Sequence, residues 1–220
     1  LIPAPKLFFL LSYSAFMPNL PVDASTHLPL IEYINRYLER RLTEEEMEHV
    51  RSQFQFLRIK KHRLFLEEGQ ICERTGFVIK GSFKQYSVDA DGKEHVFQLC
   101  LENWWIGDRE SFTTRTPSPY FIEALEDSEV LILNGSIIEQ GLEKMPFLKE
   151  LWRVIMERQS LRLMRRLQNL KTLSSEQRLF DLEQAYPEFF QRFPLHLIAS
   201  YLGMTKETLS RIRAARAAGG

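Results

Sequence analysis

The segment FPLHLIASYLGMTKETLSRIRAA, Phe193 to Ala215, constrains this chain more than any other. Pro194 sets a helix start, and Leu195, Ile198, Ala199 and Leu202 recur at the spacing of one helix face. Ala199 is small enough to let a second helix cross closely. Gly203 follows where a tight turn needs a residue tolerant of positive φ. Thr205 then caps a second helix, with Thr208 three residues on, and Leu209 and Ile212 turn back toward the first. Lys206, Glu207, Ser210, Arg211 and Arg213 are left on the outer side. A helix presented this way fits the major groove of duplex DNA, its N-terminal side chains meeting base edges and its cap and amides meeting phosphate. Arginine can read guanine through a bidentate pair, and glutamate can accept from cytosine N4. An ordinary helical hairpin with a charged outer face shares the spacing. The small residue, the glycine, the cap, the inward apolar pair and the basic outer face occur together here, which favours DNA.

Charge agrees only when its distribution is considered. Lys+Arg and Asp+Glu are both 29, so the formal net charge is zero. From Leu151 to Phe180, however, seven basic residues (Arg153, Arg158, Arg162, Arg165, Arg166, Lys171 and Arg178) face Glu157 and Glu176 alone. From Leu195 onward Lys206, Arg211, Arg213 and Arg216 face only Glu207. An acid-leaning front and a basic rear are expected, the rear being either a solvated helix face or a surface turned to phosphate.

The front half has a different texture. LPLIEYINRYLE, Leu28 to Glu39, places Leu30, Ile31, Ile34 and Leu38 near helical spacing, and Thr43 with Glu46 reads as a capping box opening a second helix. From about Phe54, the runs FQFLRIK, HRLFLEE, GFVIKGSFKQYSV, EHVFQLC, YFIEAL and EVLIL are short, partly alternating and separated by turn signals. An antiparallel sandwich or barrel is expected, with Val88 to Glu94 as a hairpin. From about Ser136 the pattern becomes helical. Pro146 suits a first turn, and Leu148, Leu151, Trp152, Ile155, Leu163, Leu167 and Leu170 form a broken stripe. One face of such a helix covers the barrel, and the surplus apolar residues call for a second copy of the chain. Ser174 and Gln177 cap a further helix running to Tyr186.

The fold class expected is therefore α+β: an N-terminal antiparallel β-roll of the jelly-roll type, a long dimerisation helix, and a C-terminal all-α helix-turn-helix domain. The divisions fall at 1–27 (an unstructured or mis-assigned extension), 28–142 (β-roll), 143–172 (long helix), 173–215 (helix-turn-helix) and 216–220 (tail). In the extension, LFFLLSYSAF after Lys6 resembles a signal-peptide core but is too short to cross a bilayer. An over-extended or truncated start is preferred, with Met17 one candidate for the true one, and export is the lesser alternative. No membrane association and a cytoplasmic location are expected.

This arrangement resembles the Crp/Fnr superfamily of bacterial transcription factors, over roughly Leu28 to Ala215. LIASYLGMTKETLSRIR carries the specific part of the resemblance. Gly69, Gly81 within GFVIKGSFKQYSV, and Gly107 in WWIGD carry the weaker part. The family's base-reading helix has Arg-Glu-Thr with an Arg four residues after the Glu; Lys206, Glu207 and Arg211 stand at those positions. Lysine lacks the bidentate fork, which puts base preference at that position in doubt. Thr205 and Ser210 become phosphate or groove contacts, and the family's usual β wing is not evident. The resemblance implies double-stranded DNA as ligand, a homodimer, and RNA polymerase as a candidate partner for which no contact surface can be read.

The resemblance also implies a cyclic nucleotide. In family members that bind one, Gly-Glu opens a phosphate cassette and a later Arg holds the cyclic phosphate. Here Gly107-Asp108 opens it, and the Arg position falls on Ser118, followed by Pro119 and Tyr120. Loss of a charge-assisted bond removes ~1.5–3 kcal/mol, which leaves Arg109 or Arg115 to compensate. The expectation is a pocket around Gly107, Asp108, Arg109, Ser118 and Tyr120 that is empty or takes another small-molecule effector. Trp104, Trp105, Phe112 and Phe121 line it or belong to the core.

Other chemistry is thinly supported. The five histidines (His27, His49, His62, His95 and His196) show no metal-ligand spacing, and neither a P-loop nor a nucleophile elbow occurs. Cys72 and Cys100 form no CxxC and read as buried thiols. A regulatory module acting on a protein partner without DNA remains the alternative function, and a metal-dependent barrel enzyme the third.

Overall fold

The computed structural model describes residues 23–135 and 146–218. The Leu7–Phe16 stretch and Met17 lie outside the described residues, as do 136–145 and the last two glycines. After a 3-10 turn at Ala24–His27 come α1 (Leu28–Leu38) and α2 (Glu44–Gln53). The Thr43–Glu46 capping box is formed in both directions: Thr43 N donates to Glu46 Oε2 at 2.9 Å and Glu46 N to Thr43 Oγ1 at 3.2 Å. His27 is buried and donates through Nε2 to the Phe54 carbonyl at 2.8 Å, a structural role for that histidine.

The strands follow: β1 (Gln55–Ile59), β2 (Leu64–Leu66), β3 (Arg74–Lys80), β4 (Phe83–Val88), β5 (Glu94–Cys100), β6 (Trp105–Ile106), β7 (Phe121–Ala124) and β8 (Ser128–Asn134). They form two four-stranded antiparallel sheets, ordered β1-β8-β3-β6 and β2-β7-β4-β5. The expected hairpin closes β4 onto β5: Val88 pairs with Glu94, and Asp89 N donates to Lys93 O. Between the sheets lie Leu57, Val78, Val130 and Ile132 from one side and Phe65, Phe83, Ile122 and Ala124 from the other.

Both outer faces are covered as well. Phe77, Leu131 and Leu133 of the first sheet pack under α1 and the start of α4 (Pro146–Thr172), where Leu148, Leu151 and Ile155 are buried. Tyr86, Val96 and Leu99 of the second sheet pack under α5 (Ser175–Ala185), α6 (Phe189–Arg192), α7 (Leu195–Tyr201) and α8 (Lys206–Ala218). Sheets buried on two faces have no solvent side, which is why β8 reads as a nearly continuous apolar run rather than an alternation.

Two short elements escaped the sequence: β6, and α3 (Arg109–Thr114). Asp108 caps α3 through Oδ1, reached by Glu110 N at 3.1 Å and Ser111 N at 3.4 Å. Asp followed by Arg-Glu-Ser was the legible cap signal. Trp104, just before β6, and Trp105, its first residue, face opposite ways, as a strand requires. Trp105 packs against Tyr33, Phe77 and Trp152, whereas Trp104 meets Tyr186 and Phe189 on the helical side.

Candidate nucleic-acid interface and effector cassette

Helices α7 and α8 make the predicted helix-turn-helix. Pro194 precedes α7; Leu197, Ile198 and Ala199 are buried along it, and Leu202 just beyond. Leu195, expected inward, is only half-buried; Leu197 takes the deep place instead. Gly203 sits at φ +65°. Thr205 Oγ1 accepts from Thr208 N at 3.2 Å, the expected cap of α8. Leu209 is fully buried and Ile212 half-buried against the first helix.

The outer face of α8 is free. Thr205, Lys206, Glu207, Ser210, Arg211 and Arg213 are all exposed. They are not equivalent. At helical spacing Glu207, Ser210 and Arg211 lie opposite Leu209 and Ile212, with Lys206 at the leading edge. Arg213 sits at the flank, its guanidinium 6.0 Å from the Phe190 ring. The backbone at Glu207 and the Thr205 hydroxyl hold the Glu207 carboxyl below its ordinary pKa. It is therefore an anionic acceptor at neutral pH.

Much of the basic rear half has structural work instead. Arg216 pairs with Glu176 at 3.3 Å and Glu183 at 2.8 Å, tying α8 to α5. Arg178 donates to the Leu202 and Leu173 carbonyls, holding the helix-turn-helix to the end of α4. Arg192 bridges Glu102 and Glu126 on the β-roll at 3.0 and 2.6 Å.

The helical unit is docked on β5, the edge strand of its sheet. Ser200 Oγ accepts from Val96 N at 3.0 Å, capping an edge amide. Arg166 of α4 reaches across the same junction, donating to the carbonyls of Phe97 and Tyr201 while its guanidinium lies 4.0 Å over the Tyr201 ring. Burial lowers the Arg166 pKa. Ser200 was not singled out from sequence and Arg166 only as one of the basic run, because a side chain bonding to distant backbone leaves no motif.

The cassette residues do meet. Gly107 takes φ +147°, and Asp108 and Ser118 are both buried. They satisfy each other: Ser118 Oγ donates to Asp108 Oδ2 at 2.7 Å and accepts from Tyr120 N at 3.1 Å. Asp108 N donates to Cys72 Sγ at 3.3 Å. No cationic side chain bonds Asp108 among the described residues. Arg109 is exposed, and Arg115 lies 5.8 Å over the Phe112 ring. Burial raises the Tyr120 pKa, with Asp108 and Glu110 adding to the rise. Trp104, Trp105 and Phe112 pack into the cores rather than around this cassette. Cys72 and Cys100 are both buried free thiols, and burial pushes Cys100 to about 12. Among the described residues, no group of three or more His, Cys, Asp or Glu is placed to hold a metal ion, and no helix is long and apolar enough to cross a membrane.

Comparison with known proteins places this arrangement. The family described as the cyclic nucleotide-binding domain matches residues 56–145. A transcriptional regulatory protein, Btr, of Bordetella pertussis is 35% identical over 167 residues, covering 71% of this chain and 68% of that protein. Among solved structures, the global regulator CLP of Xanthomonas campestris aligns over 80% of this chain and 93% of its own, with 15% identity and a TM-score of 0.62. FixK2 of Bradyrhizobium japonicum aligns over 76% and 86%, with 20% identity and a TM-score of 0.61. At those identities the structures speak for the fold.

Proposed function

Since the chain belongs to the Crp/Fnr family of transcriptional regulators, we propose that it binds duplex DNA as a homodimer and reads bases through Lys206, Glu207 and Arg211. The observation that carries this is the presentation of α8: its apolar side is sealed by Leu209 and Ile212 while Lys206, Glu207, Ser210, Arg211 and Arg213 are all exposed. Thr205 and Ser210 serve phosphate or groove edges, and Arg213 at the flank a phosphate.

The second half of α4 supports the dimer. Leu161, Leu163, Met164, Leu167 and Leu170 are exposed, while Leu148, Leu151 and Ile155 toward its start are covered by the β-roll. Burying a large aliphatic side chain stabilises by ~1.5–3 kcal/mol. Five left bare along one helix are a strong drive to pair with a second copy. Two recognition helices then meet successive turns of the major groove, roughly 34 Å apart.

We infer that the cassette is poorly suited to a cyclic phosphate: Ser118 stands at the position of the phosphate-holding arginine, and its hydroxyl is taken up by Asp108. The chain is a regulator rather than an enzyme, and the cassette is empty or takes an effector of another kind; RNA polymerase is a partner only by family analogy. Selection of bound sequences from random duplex DNA tests the reading. A two-fold symmetric site is expected, with affinity falling steeply with salt and lost in Glu207→Ala/Arg211→Ala. Unchanged binding by that variant overturns the assignment. A protein that selects no sequence at all favours action on a protein partner.

A further inference from the structure

A cleft of about 520 Å³ lies where α1, the β5–β6 connection, α4, α5 and the end of α7 converge. It lies apart from the cassette: Asp108, Ser118 and Tyr120 are not among its walls. Its volume suits a small organic ligand. Three features give it a chemical character.

The first is aromatic walls. Tyr33, Trp104, Tyr186 and Tyr201 line it from different elements. The second is uncompensated positive charge. Arg162, Arg165, Arg166 and Arg178 line it against a single acid, Asp181. Arg166 and Arg178 are committed to backbone carbonyls. Arg162 lies 5.7 Å over the Trp104 ring, and neither it nor Arg165 pairs with a carboxylate among the described residues. The third is a buried indole in its wall: Trp105 is 8% exposed, lines the cleft and meets Tyr33 edge-on with ring centroids 6.2 Å apart.

We propose that this cleft binds a small planar aromatic acid, its ring among the tyrosines and Trp104, its carboxylate between Arg162 and Arg165. Guanidinium matches carboxylate geometry through a bidentate pair. The site deepens the reading of the chain as a regulator, on which its regulatory meaning rests. Its walls include Phe97, Arg166 and Tyr201, whose bonds also hold the helix-turn-helix against the β-roll. A ligand that binds the docked and undocked arrangements unequally therefore shifts the setting of α8.

The test uses the full chain and calorimetric titration with 1-naphthoate, with 1-naphthylmethanol as the uncharged control. Naphthoate is expected to bind at least about tenfold more tightly than the alcohol, and Arg162→Gln/Arg165→Gln to lose about tenfold, or ~1.4 kcal/mol. The Trp105 indole N–H resonance, identified by its loss in Trp105→Phe, is expected to shift on titration. Equal affinity for acid and alcohol, an unmoved Trp105 resonance, or an undiminished double variant overturns the proposal. So does an absence of binding by the dimer, which would mean that a second copy closes the cleft. None of these readouts involves DNA, so failure of the recognition-helix assignment is seen separately.

Discussion

Ser118 Oγ lies 2.7 Å from Asp108 Oδ2 and donates to it, inside a region where both residues are nearly inaccessible. The other oxygen of Asp108 caps α3. The bond thus joins the two ends of the cassette, with α3 between them. Ser118→Ala strands a buried carboxylate oxygen, and a lost bond to a charged group costs ~1.5–3 kcal/mol. Urea denaturation should show a lowered midpoint with an unchanged slope. A midpoint equal to that of the unaltered chain would mean water replaces the hydroxyl without loss.

Arg166 is the widest-reaching side chain at the junction of the β-roll and the helical unit. Arg166→Ala removes two bonds to carbonyls and the stacking on Tyr201. Each bond from a charged donor is worth ~1.5–3 kcal/mol, with the exposed Phe97 bond toward the lower end and the part-buried Tyr201 bond above it. Hydrogen exchange should accelerate at the β5 amides and through α7 while the inter-sheet strands stay protected. Equal acceleration everywhere would show a global rather than a junctional role.

The sequence made the local parts of this architecture legible and left the junction dark. Thr43 with Glu46, Ser174 with Gln177, and Gly203 between two apolar-faced helices announced themselves because each rests on bonds within a few residues. The surplus of apolar residues on α4 was legible too, but not its division into a covered start and a bare end. What stayed hidden depends on distant partners. Ser200 meets Val96 across 104 positions, and Arg166 meets Phe97 across 69. The basic rear was also legible as a charge imbalance but not as a surface. Arg178, Arg192 and Arg216 prove to be internal ties, and the outward charge narrows to fewer residues.

The Arg40–Glu46 pair sets a pH dependence. The Arg40 guanidinium, with the Thr43 amide and hydroxyl, lowers the Glu46 pKa to about 2. A depressed carboxylate stabilises the folded chain above its unfolded value near ~4.3. That contribution disappears as the pH falls through about 2. In thermal melts, the unaltered chain should exceed Glu46→Gln at neutral pH, with the gap closing across that acid range. A gap that is constant or widens toward acid would contradict the pairing.

Gly203 turns the chain at φ +65° between α7 and α8. A Cβ there would lie 3.2 Å from Leu170 Cδ2, the end of a flexible and partly exposed side chain that can yield. Backbone strain therefore dominates over crowding. Gly203→Ala should cost ~1–2 kcal/mol, and Gly203→Asn less, since asparagine tolerates this conformation. Equilibrium unfolding of the two variants checks the order. An alanine cost well above that range would show that Leu170 cannot move.

Lys206 stands at the leading edge of the exposed face of α8, where the family carries arginine. An ammonium is a point charge that can donate to guanine or to phosphate, whereas a guanidinium fits guanine O6 and N7 together. If Lys206 faces a base, Lys206→Arg should sharpen the preference for guanine at one position of each half-site. A bidentate pair discriminates by ~1–3 kcal/mol, which corresponds to roughly five- to 150-fold in relative affinity. Competition among duplexes varied at single positions, at fixed salt, measures it. Gains confined to one symmetric pair of positions place the residue over a base. A uniform change across all sequences, with no position singled out, places it over phosphate and leaves Glu207 and Arg211 as the readers.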